Sequence, residues 1–271
     1  MFALSLWLFF LQPAPGVTTT LMTGTDPSIL YHIRGNAGNV LFSANRKDQT
    51  DRGIITTQYQ ESEGFVAFDR LTQTVKAEFK RDFSLNRLSK TIRAKAPRMD
   101  VKAPFGSTVA FDLKLSDLGI GQFNFSDLNV RSFVLDANFG EVYLDFPTIN
   151  QRIIRDEVSV HLTAGYLEIN QLANLKAQNW IVNGGVGELK LDIGDKLHGL
   201  TNIKLDLDIG TLSLSIPKGT RVEVHGTNRN LEPYGFIKQE EDWIVSSYHE
   251  ASPILSIYLL GPLGELQIDW D

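Results

Sequence analysis

Apolar and polar residues alternate along much of the chain, and the alternation changes phase at recurring glycines. In residues 203–216 the apolar positions are odd-numbered as far as Ile209 and even-numbered from Leu212, with Gly210 between them. Successive side chains of a β-strand point to opposite faces, so a one-residue slip exposes the buried face unless the backbone bends. Glycine permits the backbone angles of such a bend. The pattern therefore predicts long strands that bend at glycine.

The same pattern, a glycine followed by alternating apolar and polar residues, occurs six times. The glycines are Gly121, Gly140, Gly165, Gly187, Gly210 and Gly264. The first five recur every 19 to 25 residues, which is the spacing of a solenoid coil. The repeat therefore predicts stacked copies of one structural unit.

Each copy predicts which side chains face the interior. Counting back one, three, five and seven residues from a glycine gives apolar sets such as Ile209, Leu207, Leu205 and Ile203. Beyond the glycine, the second and fourth residues are apolar. In stacked copies the outward residues form columns, and the third column is predicted to contain Ser126, Asp145, Asn170, Asp192 and Ser215. Asn and Ser then separate the carboxylates, as like charges directly opposite each other are unfavourable.

These patterns predict an all-β protein, a single-chain β-solenoid with coils of about 22 residues and a glycine at each bend. The repeat region extends over residues 101–271, with an irregular insertion at 217–252 and a closing C-terminal rung at Gly264. Residues 17–100 lack the repeat but are rich in strand and turn signals, and they predict an N-terminal β domain or cap.

The repeat resembles a known family at "LGIGQFNFSDLNVRSFVLDANFGEVYLDF" and in its later copies. Over roughly residues 101–270 the chain is similar to the bacterial toast-rack and LiaF-like cell-envelope proteins, and more loosely to the putative-adhesin β-solenoid group. The resemblance implies a β-solenoid outside the cytoplasmic membrane that serves surface attachment or the response to envelope stress. It supplies no catalytic residues, and the chain lacks the membrane-spanning bundle of LiaF-like relatives.

Residues 1–16 form an apolar N-terminal segment. Its run from Phe2 to Leu11 is too short to span a bilayer but suits the core of a secretory signal peptide. We therefore expect export to the periplasm, the outer surface or the medium. A buried N-terminal strand is the alternative. After residue 16 no apolar stretch is long enough for a transmembrane helix.

Composition excludes several classes of function. The 271 residues contain no cysteine, which removes disulfides, thiolate catalysis and cysteine-ligated zinc. The formal net charge of −6, without a basic stripe, argues against binding to nucleic acid. The five histidines are scattered, without the spacing of metal ligands. We expect no cofactor.

Three carboxylates provide the one catalytic alternative. Asp206 and Asp208 share one face of a strand, and Asp192 belongs to the neighbouring copy. Such a group could bind calcium or act as an acid–base pair in a carbohydrate-active β-helix enzyme. Solvated polar positions of an amphipathic sheet are the simpler interpretation, because equivalent positions hold Ser, Asn and Lys.

Four aromatic residues lie in or beside the insertion: Tyr234, Phe236, Trp243 and Tyr248. They predict either a docking patch for sugar or protein, or side chains that pack the insertion onto the repeats. The leading hypothesis is a non-catalytic exported scaffold or adhesin-like surface protein. Its partner would be an envelope protein or a surface polysaccharide, and a soluble accessory of an envelope-stress sensor is a further alternative. The oligomeric state stays open.

Overall fold

The computed structural model is almost entirely β-structure, as predicted. It describes residues 17–23, 28–35, 38–47, 52–59, 64–79, 98–227, 229–245, 254–261 and 264–271. Seventeen strands in these ranges join in one open, hydrogen-bonded sheet. The described residues form no α-helix, only short 3₁₀ helices at Leu172–Leu175 and Glu232–Tyr234. The predicted signal segment, residues 1–16, lies outside the described residues.

Five long strands form the centre of the sheet. They are β8 (Thr108–Asn124), β9 (Asn129–Asp145), β10 (Val158–Asn170), β11 (Asn179–Asp192) and β12 (Asn202–Ile216). All four neighbouring pairs are parallel. From β9 to β12 the copies are in register, so that Gly140, Gly165, Gly187 and Gly210 lie side by side.

The two halves of each long strand pack against each other. Phe111 lies before the centre of β8, and its ring centroid is 5.5 Å from that of Phe125, just beyond the end of the same strand. Phe133 in the first half of β9 is 5.7 Å from Phe125. Inward side chains from both halves belong to one hydrophobic core. The phase slip therefore directs both halves of a strand toward a shared interior.

The seven N-terminal strands extend both halves of this sheet. They are β1 (Val17–Met22), β2 (Ser28–Gly35), β3 (Gly38–Ala44), β4 (Ile54–Tyr59), β5 (Gly64–Asp69), β6 (Thr74–Phe79) and β7 (Arg98–Ala103). β2 is parallel to the first half of β8, and β3 to the second half. β6 and β7 pair in parallel with β2 and β3, while β1, β4 and β5 add antiparallel pairs.

The C-terminal strands complete the other end. They are β13 (Arg221–His225), β14 (Phe236–Gln239), β15 (Asp242–Val245), β16 (Ile254–Leu259) and β17 (Glu265–Trp270). β16 and β17 pair in parallel with the first and second halves of β12. β13 is parallel to β16, and β14 and β15 form an antiparallel hairpin beside β13.

The aligned glycines allow neighbouring strands to approach closely at the bend. From Gly140 to Gly210 their φ angles lie between 139° and 146°, a region that side chains rarely adopt. A Cβ at Gly187 would overlap the carbonyl oxygen of Gly165, and one at Gly210 would overlap that of Gly187. Only glycine therefore fits these positions.

The first copy is displaced from the predicted alignment. Gly121 is not a bend residue: it pairs with Val142 and faces the interior. Leu118 and Gly119 instead lie opposite Gly140, because the pairing shifts between Asp117 and Ile120. Two residues against one is the geometry of a β-bulge. The prediction for Gly121 was wrong because β8 pairs with β9 two residues away from the predicted alignment, so that the bulge at Leu118 and Gly119 stands where a bend glycine was expected.

The residue directly before each bend was also predicted incorrectly. Phe139, Val186 and Ile209 were expected inside, but they are 55%, 50% and 65% exposed. The residues three, five and seven positions before the glycine are buried, as predicted. The bend turns the two halves toward the core, so the residue at the corner projects from its convex side.

The segments between the long strands are also aligned with each other. Asn150 N donates to Asn174 O at 2.7 Å, Ala173 N to Ile193 O at 3.1 Å, and Thr201 N to Gln178 O at 3.1 Å. The Asn150 side chain is 3% exposed and forms four hydrogen bonds to backbone groups. These connections are therefore specifically paired, not loose loops.

The insertion covers the outer edge of the last strand. The Tyr234 hydroxyl donates to Leu266 O at 2.5 Å, and Arg229 Nη2 donates to Gly264 O at 2.6 Å. In return, Trp270 Nε1 donates to Tyr234 O at 2.9 Å. An uncovered edge strand offers free backbone groups for aggregation. The segment from 229 to 234 therefore acts as an end cap.

We predict that Tyr31→Phe stabilises the protein. The Tyr31 ring stacks on Phe111 at 5.2 Å, but its hydroxyl is buried without a hydrogen-bond partner among the described residues, and burial raises the pKa of that hydroxyl. Removing an unsatisfied buried hydroxyl should raise the free energy of unfolding by about 1 kcal/mol. Urea denaturation measures the change. A loss of stability would indicate that the hydroxyl has a partner in solution.

Candidate binding surface

The outward side chains of the second strand halves form a regular polar surface, which we call the polar face. One column contains Tyr143, Glu168, Lys190, Ser213 and Gln267. The next includes Asn124, Asp145, Asn170, Asp192, Ser215 and Asp269. The predicted column began with Ser126, but the observed register of β8 against β9 places Asn124 opposite Asp145 instead. The predicted separation of carboxylates by amide and hydroxyl groups holds from β8 to β17.

Two hollows lie on the polar face. Hollow 1 has a volume of about 670 Å³, and its floor is formed by β7, β3, β8 and β9. Its polar and aromatic lining consists of Ser43, Arg98, Asp100, Lys102, Gln122, Asn124, Tyr143 and Asp145. Hollow 2, of about 320 Å³, lies over β10, β11, β12 and β17. Hollow 1 has the size of a small-molecule site.

Two tyrosines and their charged partners separate the hollows. The ring centroids of Tyr143 and Tyr166 are 5.4 Å apart. The Tyr166 hydroxyl donates to Glu168 Oε2 at 2.5 Å, and Lys190 Nζ lies 5.3 Å from the Tyr166 ring. The hydrogen bond from Tyr166 lowers the pKa of Glu168. Burial, and then the bond to Glu168, raise the pKa of Tyr166. Glu168 is therefore a fixed anion, and Tyr166 keeps its proton.

Asp145 lies at the boundary between this network and hollow 1. Burial, followed by the nearby charge of Glu168, raises the pKa of Asp145. Asn124 Nδ2 donates to its Oδ2 at 2.9 Å. Adjacent carboxylates on the polar face therefore differ in environment, because Glu168 accepts a hydrogen bond from the Tyr166 hydroxyl and Asp145 accepts one from the Asn124 amide.

Several groups in hollow 1 have unused hydrogen-bonding capacity. The Ser43 hydroxyl, the Lys102 ammonium and the Gln122 amide bond to no other residue in the described part of the chain. Arg98 differs, because its Nε lies 3.0 Å and 3.1 Å from the two carboxylate oxygens of Asp100. The hollow thus offers free donors and acceptors on a floor of paired strands.

The three carboxylates of the catalytic alternative do not come together. Asp192 lies at the end of β11, opposite Ser215, and its oxygens accept from the backbone N of Gly194 and Gln171. Asp206 and Asp208 lie in the first half of β12, before the bend. In the described residues no three His, Cys, Asp or Glu side chains are placed to hold a metal ion.

The aromatic side chains of the insertion pack against the core rather than forming an exposed patch. Phe236 and Trp243 are 2% and 5% exposed, and the ring centroid of Phe236 is 5.7 Å from that of Trp270. Tyr234 is part of the end cap. Tyr248 lies outside the described residues. The three described side chains therefore match the packing alternative, in which they hold the insertion against the core.

Comparisons with known proteins give remote likenesses. No protein-family model matches the chain, and no curated protein matches it significantly. A solved putative cell adhesion protein from Clostridium sporogenes is 15% identical, with a TM-score of 0.37, over 94% of this chain and 100% of that one. A putative adhesin from Bacteroides fragilis is 11% identical, with a TM-score of 0.35, over 94% and 98%. No helix in the described ranges is long and apolar enough to cross a membrane.

The repeat pattern predicts part of the polar face but not hollow 1. Asp145, Asn170, Asp192 and Ser215 were placed in one column by the repeat. Ser43 and Lys102 belong to β3 and β7, which carry no copy of the repeat. Their place beside β8 depends on long-range pairing, and no local signal reports it. Tyr143 and Tyr166 were visible as outward residues of two successive copies.

Proposed function

We propose that the protein is a non-catalytic, exported surface protein with an adhesin-like role, and that it binds an envelope component on the polar face. The observation that carries this proposal is hollow 1, where the side chains of Ser43, Lys102 and Gln122, unpaired within the described ranges, lie beside Tyr143. A role in envelope stress, as in the toast-rack and LiaF-like proteins that the repeat resembles, belongs to the same proposal.

We also propose that the architecture is a β-solenoid. The nine residues 193–201 connect β11 to β12 and span at most about 32 Å. A straight strand of the 14 residues in β11 would be about 46 Å long. Because β11 and β12 are parallel and in register, the connection reaches only if β11 folds back on itself. Aligned connections and packed strand halves agree with stacked coils.

A non-catalytic role is supported by the dispersion of the carboxylates. General acid–base catalysis needs two groups within reach of one substrate. Asp192 is separated from Asp206 and Asp208 by the bend and by the strand pairing. On the polar face, Asn170 lies between the strands that carry Asp145 and Asp192.

The test compares binding of two double variants to bacterial cells. Lys102→Ala with Gln122→Ala removes two side chains of hollow 1 that have no partner in the described residues. We expect cell binding to fall about tenfold, which corresponds to about 1.4 kcal/mol, while the free energy of unfolding changes by less than about 0.5 kcal/mol. Binding is measured by flow cytometry with labelled protein.

The matched control is Lys204→Ala with Asn183→Ala. It removes one lysine and one amide from the outward face of the first strand halves, so the change in charge is the same. Control binding should equal that of the wild type. Equal loss in both variants would refute a specific role of the polar face. Cell fractionation tests export separately, and a purely cytosolic protein would overturn that part of the proposal.

A further inference from the structure

We propose that hollow 1 binds a neutral, extended polysaccharide, with a sugar ring lying on Tyr143 and the chain running across the strands. This inference rests on the proposed function, because it names the ligand class of the same surface. The stacking ring, the mixture of polar groups and the charge of the polar face favour this ligand.

Tyr143 supplies the flat apolar surface that a sugar ring requires. Its side chain lines hollow 1, beside the amides of Gln122 and Asn124 and the carboxylate of Asp145. A hydrogen bond from its hydroxyl to Glu141 Oε2, at 3.2 Å, fixes the ring. An aromatic face contacts the C–H groups of a sugar, while the planar amides and carboxylates at its edge bond to hydroxyls. A fixed ring also loses little conformational entropy on binding.

The hydrogen-bonding groups of hollow 1 match hydroxyl groups. A sugar hydroxyl both donates and accepts, so it needs donors and acceptors close together. Lys102 supplies donors, Asp145 supplies acceptors, and Ser43 and Gln122 supply both. An apolar peptide would leave these groups unpaired, and unpaired polar groups cost binding free energy.

The charge of the polar face disfavours acidic polymers. Hollow 1 is balanced, with the cations Arg98 and Lys102 and the carboxylates Asp100 and Asp145, and Arg98 is held by Asp100. Hollow 2 contains one cation, Lys190, which is held by Glu188 at 3.0 Å, and three carboxylates, Glu168, Asp192 and Asp269. A uronic acid or phosphate polymer that follows the columns from hollow 1 into hollow 2 would therefore meet excess negative charge, whereas a neutral chain would not.

The geometry of the floor suits a linear chain. The strands β7, β3, β8 and β9 are adjacent, and at about 4.8 Å between neighbours they form a floor about 14 Å wide. The polar columns run across the strands and continue into hollow 2 beyond the tyrosines. An extended glycan that follows the columns would thus contact a similar set of polar groups at every strand.

Isothermal titration calorimetry on the full chain tests the proposal with four oligosaccharides. Cellohexaose and chitohexaose are neutral and extended, maltohexaose is neutral but curved, and hexagalacturonate is extended but acidic. We expect at least one of the first two to bind more tightly than the other two probes. Tyr143→Ala should weaken that binding at least about tenfold, in line with the loss of an aromatic contact.

Tyr258→Ala is the control, because Tyr258 stacks on His225 at 4.7 Å, in strands that line neither hollow. It should leave binding unchanged, and Tyr143→Phe should retain most of it. The inference would be overturned if neither cellohexaose nor chitohexaose binds, or if hexagalacturonate binds more tightly than both. It would also be overturned if Tyr143→Ala binds as tightly as the wild type. If these probes fail while the cell-binding difference persists, the polar face binds another ligand. If these probes fail and the cell-binding difference is also absent, the proposed function fails as well.

Discussion

Gly187→Ala should destabilise the protein by about 3 to 5 kcal/mol. Gly187 has a φ of 146°, and an alanine held there costs about 1 to 3 kcal/mol in backbone strain. The added Cβ would also overlap the carbonyl oxygen of Gly165. Since that atom belongs to the backbone of a paired strand, relief requires the two strands to separate. Urea denaturation followed by circular dichroism measures the loss.

Gly199→Ala is the control that separates backbone strain from steric overlap of the Cβ. Gly199 has a φ of 100°, but a Cβ there meets no atom within 4 Å. We expect a loss of about 1 to 2 kcal/mol from strain alone. Equal losses in the two variants would mean that the glycines of neighbouring strands are not in close contact, and the explanation of the bend would then be wrong.

Asn150→Ala should cost about 3 to 5 kcal/mol, although the side chain removed is small and polar. Its Oδ1 accepts from Val130 N at 2.9 Å, and its Nδ2 donates to Val130 O at 2.9 Å, Arg152 O at 2.9 Å and Leu175 O at 3.2 Å. Alanine leaves several of these backbone groups unpaired in a dry environment, at about 1 to 3 kcal/mol each. Denaturation midpoints measure the effect.

Two further variants check this explanation. Asn138→Ala, at an exposed position of β9, should change stability by less than about 0.5 kcal/mol. Asn150→Asp keeps an acceptor for Val130 N but loses the donors and buries a charge. Its destabilisation should shrink as the pH falls, because protonation removes the charge and restores one donor. A loss below about 1 kcal/mol for Asn150→Ala would show that these bonds do not hold the connections together.

The consequence of both predictions is that stability depends on contacts between copies. Gly187 contacts the preceding copy through Gly165, and Asn150 joins the start of β9 to the connection after β10. Neither residue belongs to the hydrophobic core. A protein in which each copy contacts its neighbours gains stability from these interfaces, so one disrupted contact weakens the copies on both sides.

The sequence by itself determined which residues of each repeat face the interior. Leu205, Leu207, Leu212 and Leu214 are buried as their alternation predicts, and Gly210 lies at the change of phase with the φ of a bend. This information is local, because the pleat of a strand sends alternate side chains to opposite faces wherever the strand is placed. The outward column from Asp145 to Ser215 followed from the same rule.

Only the tertiary structure decided which strands lie side by side and in which register they pair. The bulge at Leu118 and Gly119 lies where β8 pairs with β2, β3 and β9, and the pairing of β8 with β9 put Gly121 two residues away from its predicted place. The exposure of Phe139 follows from the convex side of the bend, and hollow 1 from the pairing of β3 with β7 and β8. Alternation reports which face a residue occupies, but a strand's neighbours are chosen by contacts between residues far apart in the chain, which no local pattern contains.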